Sequence, residues 1–171
     1  VMSYPLIGNY GVNQEDNESQ RPWGAAFVVR RLARRGSNFR CEGDLDTYLK
    51  QYDITGIQGV DTRALTRILR SEGTMNGMIT CAEHFHMEDC LARIRAYRVE
   101  GTVEKVTRRA PQVYPAMGEQ KLRAALMDYG VKENMIRCLQ KRGCQVTVYP
   151  AHTPARTVLE GGFDGVMLSN G

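Results

Sequence analysis

The pattern of hydrophobic and polar residues changes along the chain, and it is clearest from Leu122 onward. Leu122 to Met127 is a nearly continuous apolar run, which is typical of a strand buried on both faces of a sheet. Lys132 to Arg142 predicts a helix, and Cys144 to Tyr149 and Asp164 to Leu168 predict two more strands. Thr153-Pro154 opens a short helix between these two strands. The order β-α-β-α-β with short loops requires parallel strands and right-handed crossovers.

Two polar turns follow strands of this predicted sheet. The carboxyl ends of parallel strands meet at one edge, and the ligand site of such a sheet lies just beyond that edge. Asp128-Tyr129-Gly130 follows the first strand and Ser169-Asn170-Gly171 follows the third, so both turns should face one crevice. The chain stops there, and we expect much of the chemistry to lie beyond it.

The helix between the first two strands has one apolar face. Met135, Cys138 and Leu139 recur at helical spacing, so we expect them to be buried against the sheet. Gly143 ends the helix, and Cys144 begins the next strand.

The earlier part of the chain predicts a mixture of short strands and helices. Its predicted elements are a buried strand over Ala25 to Val29, a helix over Leu45 to Gln51, turns or a close backbone approach rather than a long strand over Thr55 to Val60, a helix over Asp61 to Arg70, a strand over Met75 to Thr80 and a helix over Glu88 to Tyr97. Asp61 is placed to cap the helix that follows it, and Gly73 to end that helix. In the last helix, Leu91 and Ile94 should face inward.

The two parts are joined by a stretch without periodicity. Residues 101 to 121 contain glycines and prolines, as linkers do. We therefore divide the chain into a mixed α+β domain over 1–105, a linker over 106–121 and the start of a parallel α/β domain over 122–171. The fold class is α/β.

Composition indicates a globular protein that contacts neither membrane nor nucleic acid. No apolar run approaches the ~18 residues of a transmembrane helix, and no signal segment opens the chain, so we expect it to be cytoplasmic. The five cysteines include no C-x-x-C pair, which indicates reduced thiols rather than a disulfide framework. Net charge is +4, and the densest basic run, Arg30 to Arg35, lacks the aromatic platform or recognition helix of a nucleic-acid site. A solvated basic edge is the favoured interpretation.

One cluster has the residue types of a metal site, namely Cys81, His84, His86 and Cys90. Structural zinc sites usually join two separated ligand pairs from different elements, and no second pair follows here. We favour solvent-facing histidines and a buried Cys90 thiol over a zinc site, and we predict no metal in this chain.

No candidate catalytic group lies at the site edge. Cys138 and Cys144 are predicted to pack in the core, away from that edge. Asp61 and Arg63, at the start of one helix, do not face each other, and capping explains Asp61. No Walker A sequence and no G-x-G-x-x-G follows a strand, so no nucleotide or cofactor site is predicted.

Longer motifs nevertheless resemble those of a known family. In chain order they are Tyr4-Pro-Leu-Ile-Gly-Asn-Tyr-Gly-Val-Asn13, Gly59-Val-Asp-Thr-Arg-Ala-Leu-Thr-Arg67, Asp128-Tyr-Gly-Val-Lys-Glu-Asn134, Arg142-Gly-Cys144 and Leu168-Ser-Asn-Gly171. Together they are similar to the small, glutamine-hydrolysing chain of carbamoyl-phosphate synthetase. The resemblance implies that 1–105 is most of that family's N-terminal domain. It also implies that 122–171 opens a class I glutamine amidotransferase domain, which has a doubly wound sheet.

The resemblance implies a ligase that uses glutamine as its nitrogen donor. Gly171 matches a glycine that binds glutamine in the family. The catalytic cysteine, histidine and glutamate of the family lie beyond the last residue, and a site serine lies before the first. We therefore expect a fragment that lacks both ends and is inactive alone. In the family, ammonia passes to a large subunit, which uses ATP, Mg²⁺ and bicarbonate to make carbamoyl phosphate for arginine and pyrimidine synthesis.

Two alternatives remain open. The chain is either part of this enzyme or a non-catalytic module that docks on the large subunit. Another class I amidotransferase would share the sheet, but it would not carry the Gly59-Val-Asp-Thr-Arg63 domain ahead of it.

Overall fold

The computed structural model describes residues 1 to 170, and the chain folds as two units. Unit 1 comprises residues 1–17 and 21–98, and unit 2 comprises residues 18–20 together with the chain from 99 onward. Across the described range, no helix is both long and apolar enough to cross a membrane.

Unit 1 contains short elements. They are β1 (Leu6–Ile7), β2 (Ala26–Val28), β3 (Arg31–Leu32), α1 (Leu45–Gln51), β4 (Thr55–Ile57), α2 (Thr62–Glu72) and α3 (Met87–Ala96). β1 pairs with β3 and β2 with β4, in both cases in parallel, so the unit has two small sheets. The predicted helix at Leu45 to Gln51 is present, and the predicted strand at Ala25 to Val29 is present as β2, although the residues of β2 are half-buried rather than buried.

Helices α1 and α2 begin at aspartate caps. The Asp44 carboxylate accepts the Thr47 amide at 2.8 Å, and Asp61 accepts the Ala64 amide at 3.0 Å. α2 ends at Gly73, whose φ of +84° suits a residue without a side chain. The predicted cap and stop of α2 are confirmed.

Predictions for two segments of unit 1, Met75 to Thr80 and α3, are wrong. Met75 to Thr80 is not a strand, because it pairs with no other strand in the described residues. The side-chain amide of Asn76 instead donates to the carbonyls of Ile94 and Tyr97, both at 2.9 Å. Leu91 does not face inward but is 40% exposed. The half-buried positions of α3 are Cys90 and Ile94, four residues apart on one helix face.

Unit 2 holds a four-stranded sheet with helices. Its elements are α4 (Thr102–Val106), β5 (Gln112–Tyr114), β6 (Leu122–Asp128), α5 (Glu133–Gln140), β7 (Cys144–Pro150), α6 (Ala155–Leu159) and β8 (Gly165–Leu168). The strand order is β5-β7-β6-β8. β6 runs parallel to both β7 and β8, as predicted, whereas β5 is antiparallel to β7. β5 lies within 106–121, the stretch that the sequence predicted as a linker. α6 begins one residue later than expected, with Pro154 rather than Thr153 at its N-cap.

Apolar clusters cover both faces of this sheet, because successive side chains of a strand point to opposite faces. One cluster contains Leu126, Val131, Ile136, Cys144, Val146 and Val148. The other contains Ala125, Met127 and Val158. α5 therefore packs on one face and α6 on the other.

The deepest residue of α5 differs from the prediction. Ile136 is 1% exposed, whereas Met135, Cys138 and Leu139 are only half-buried. Ile136 lies three residues, about one helical turn, before Leu139. The face of α5 that is buried against the sheet is therefore rotated relative to the predicted face of Met135, Cys138 and Leu139.

Candidate functional site

The turns after β6 and β8 lie side by side at the carboxyl edge of the sheet. The Ser169 amide donates to the Met127 carbonyl at 3.2 Å, and the Tyr129 amide donates to Ser169 Oγ at 2.9 Å. We call Asp128, Tyr129, Gly130, Ser169 and Asn170 the crevice residues. The prediction that both turns lie at the same edge of the sheet is confirmed. Gly171, the predicted glutamine-binding residue, lies outside the described residues.

Ser169 ties the two turns together. Its side chain is buried. The hydroxyl accepts the Tyr129 amide and donates to the Asn170 carbonyl at 3.1 Å. A serine hydroxyl has one proton to donate, and Ser169 uses it within its own turn. Ser169 therefore orders the crevice and is not arranged as a nucleophile.

Asp128 holds the backbone of the first turn. Its Oδ1 accepts the amides of Gly130 at 3.1 Å and Val131 at 2.9 Å. Its Oδ2 accepts the amide of Arg108 at 3.0 Å. A carboxylate with three backbone donors is a structural acceptor rather than a general base, since its lone pairs are already engaged.

Arg108 forms an ion pair with this carboxylate and hydrogen bonds with three other residues. Its Nε lies 3.4 Å from Asp128 Oδ2, with the two side chains 14% and 4% exposed. This Nε makes no hydrogen bond to any described residue, so its attraction to Asp128 is purely that of an ion pair. Its Nη2 donates to Glu133 Oε1 at 3.0 Å, and its Nη1 donates to Gln112 and Tyr114.

Sequence reasoning identified the two turns but missed Arg108. The residue stands in an aperiodic stretch, and its partners Asp128 and Glu133 are 20 and 25 positions away. No local spacing signals such a pair. The indirect indication in the sequence is that Asp128 directly follows an apolar run, because a carboxylate that is buried with such a run requires a compensating partner.

The candidate metal ligands form no metal site among the described residues. His84, His86 and Cys81 are exposed, and Cys90 is half-buried rather than buried. Within residues 1–170, no group of three or more His, Cys, Asp or Glu side chains is placed to hold a metal ion. Cys144 is buried in the core, as predicted, at the amino end of β7.

Asp61 is explained by its capping role. The hydrogen bond from the Ala64 amide lowers the pKa of this carboxyl below its ordinary value. Its Oδ1 also lies 3.9 Å from an Arg30 guanidinium nitrogen, at the exposed basic edge. The cap and the ion pair account for Asp61 and Arg30 without a catalytic role.

Comparison with known proteins gives two family matches. Residues 1–79 match the family described as carbamoyl-phosphate synthase small chain, CPSase domain. Residues 125–171 match glutamine amidotransferase class-I. The second match contains all five crevice residues together with Gly171.

Curated relatives match along the whole chain. A carbamoyl phosphate synthase small chain of Clostridium perfringens is 46% identical over all of this chain and 48% of the relative. One of Listeria monocytogenes is 44% identical over 46% of its length. A relative from Halalkalibacterium halodurans, named as a pyrimidine-specific small chain, is 41% identical over 46% of its length. The chain thus spans about half the length of the curated relatives it matches.

Proposed function

This chain belongs to the family of carbamoyl phosphate synthase small chains, and we propose that it is part of a glutamine amidotransferase subunit. The subunit hydrolyses glutamine and supplies ammonia for carbamoyl phosphate synthesis. The observation that carries the proposal is the pair of ordered turns at the carboxyl edge of β6 and β8, where an open α/β sheet binds its ligand. The complete domain would be a doubly wound sheet, and the described β7-β6-β8 order with helices on both faces supports it.

The proposed reaction is attack of a cysteine thiolate on the carboxamide of glutamine. Histidine moves the proton, and backbone N–H groups stabilise the oxyanion. The resulting thioester is hydrolysed to glutamate. Gly171 would contact glutamine, while Asp128 and Ser169 keep the adjoining backbone in place. The described crevice residues include neither a thiol nor an imidazole, so the nucleophile would come from outside these 171 residues, which alone should release no glutamate.

The proposed partner is the large synthase subunit. It would bind ATP and Mg²⁺, receive the ammonia and make carbamoyl phosphate, which feeds arginine and pyrimidine synthesis. The cytoplasm is the proposed compartment, because the cysteines among residues 1–170 are all free thiols.

The test uses the open reading frame that encodes this chain, with whatever coding sequence flanks it. We expect Pro-Gly-Asp-Pro directly after Gly171 and a Gly-x-Cys-x-Gly elbow later. The protein should be co-expressed with the large chain, and carbamoyl phosphate measured with glutamine and then with ammonia. Activity with both nitrogen sources is expected. A complex that uses ammonia but never glutamine would overturn the proposal.

The second candidate is a non-catalytic docking module. It is favoured by the match of residues 1–79 to the CPSase domain and by the absence of a thiol from the described crevice. Under this alternative, the 171-residue chain co-purifies with the large chain in stoichiometric amounts. Failure to co-purify would exclude this role for the chain alone.

A further inference from the structure

We propose that Arg108 and Asp128 are positioning residues of the glutamine site and that they act through Ser169. The inference rests on the proposed function, which assigns the end of the β8 turn to glutamine. Their effect would be to hold the backbone of the two turns that lead to the proposed glutamine contact.

The first step is the order that Asp128 imposes on its own turn. Its Oδ1 fixes the amides of Gly130 and Val131. The peptide groups on the carboxyl side of Tyr129 are thereby held. The Tyr129 amide itself is left to donate across the sheet edge to Ser169 Oγ at 2.9 Å. Planar peptide groups leave two soft dihedrals per residue, so holding the neighbouring amides limits where this amide can point.

The second step passes from Ser169 to the end of the turn. Ser169 Oγ accepts the Tyr129 amide and donates to the Asn170 carbonyl at 3.1 Å. This bond holds the Asn170 carbonyl, at the end of the described turn and directly before the residue that is proposed to contact glutamine.

The third step is the support that Arg108 gives to Asp128. The pair is nearly buried, and Arg108 also contacts Gln112, Tyr114 and Glu133. Arg108 thus compensates the charge of the Asp128 carboxylate, and its contacts with β5 and α5 hold the guanidinium in place. Removing one partner of a buried pair leaves an uncompensated charge, which would loosen the turn that Asp128 holds.

The experiment measures kcat and KM for glutamine in the complete protein bound to its large chain. Ser169→Ala removes the relay hydroxyl with little change in volume, and Asp128→Asn removes the charge that faces Arg108. Each should raise KM for glutamine about three- to ten-fold, the range expected when one hydrogen bond is lost, with a smaller change in kcat. Thr157→Ala, at an exposed position of α6, is the matched control and should leave KM as in the unaltered protein. Ammonia-dependent synthesis, which bypasses glutamine, reports that each complex is assembled.

The double variant of Ser169→Ala with Asp128→Asn tests whether the two residues act together. If Asp128 acts through Ser169, the combined variant should raise KM about as much as the larger single change, because coupled residues are not additive. An unchanged KM in Ser169→Ala, or fully additive effects, would overturn the positioning role while leaving the proposed function standing. Absence of glutamine-dependent activity in the unaltered protein would instead overturn the proposed function, and this inference with it.

Discussion

Glu18 Oε2 accepts a hydrogen bond from the Asn134 amide at 2.9 Å, although the two residues lie 116 positions apart in the chain. The Glu18 carbonyl also accepts the Glu133 amide at 3.0 Å, and an Arg137 nitrogen lies 3.6 Å from Glu18 Oε1. Lys132, at the N-cap of α5, supplies no side-chain cap within the described residues. Glu18 thus satisfies the first amides of α5 from a distant segment.

We predict that Glu18→Ala lowers the free energy of unfolding of unit 2 by about 1 kcal/mol, the usual cost of losing a helix cap. Urea unfolding measures this loss, and amide hydrogen exchange at Asn134 should become faster. Glu18→Gln keeps an oxygen acceptor and serves as the control, with exchange close to that of the unaltered protein. Slow exchange at Asn134 in Glu18→Ala would contradict the capping role.

Ile136 is the residue through which α5 packs most deeply against the sheet of unit 2, and it is 1% exposed. Ile136→Ala should lower the free energy of unfolding by about 2 to 5 kcal/mol, because a cavity adds to the lost burial. Ile136→Val should cost about 0.5 to 1.5 kcal/mol in the same urea titration. Leu159→Ala, at a position 78% exposed, should change stability by no more than about 0.5 kcal/mol. Equal losses of unfolding free energy in Ile136→Ala and Leu159→Ala would contradict the role of Ile136 in the core.

Elements with local signals were predictable from the sequence. α2 has a capping aspartate at Asp61, a helical apolar period and a closing glycine at Gly73, all within a dozen or so residues. The crevice was predictable for a different reason. The β-α-β-α-β order forces parallel strands, and parallel strands bring the turns at Asp128 and Ser169 to one edge.

Elements that depend on distant partners could not be predicted. β5 is three residues long and exists because it pairs with β7, so its own residues carry too little pattern to show it. Arg108 is defined by partners in β6 and α5 rather than by its neighbours. Met75 to Thr80 shows the converse, since an extended apolar segment without a partner strand forms no sheet.

The aspartate caps of unit 1 should make its stability depend on pH. Backbone hydrogen bonds from Thr47 and Ala64 hold the pKa of Asp44 and of Asp61 below the ordinary value of 3.8. A carboxyl whose pKa is lower when folded stabilises the fold above pH 3.8. This contribution is lost as the pH falls through the lowered pKa. The urea midpoint of unit 1 should therefore fall as the pH drops below 3.8.

Asparagine at both positions keeps an oxygen acceptor but does not titrate in this range. The double variant Asp44→Asn with Asp61→Asn should therefore show a flatter acid profile than the unaltered protein. Glu83→Gln removes an exposed carboxylate ahead of α3 and should leave the steepness unchanged. An equally steep profile in the double variant would assign the acid sensitivity to other groups.

Gly11 should be the glycine of unit 1 least tolerant of substitution. Its φ is +72°, and a Cβ there would lie 2.2 Å from Cys41 Sγ and 2.9 Å from the Gly43 carbonyl. Gly11→Ala therefore combines backbone strain of about 1 to 2 kcal/mol with a steric clash. Gly59→Ala is the matched control, because its φ is +89° but nothing lies within 4 Å of the added carbon. The urea midpoint should fall much further for Gly11→Ala than for Gly59→Ala, and adding Cys41→Ala should recover part of the difference. Equal losses from the two glycine variants would mean that strain alone, and not the contact with Cys41, sets the cost.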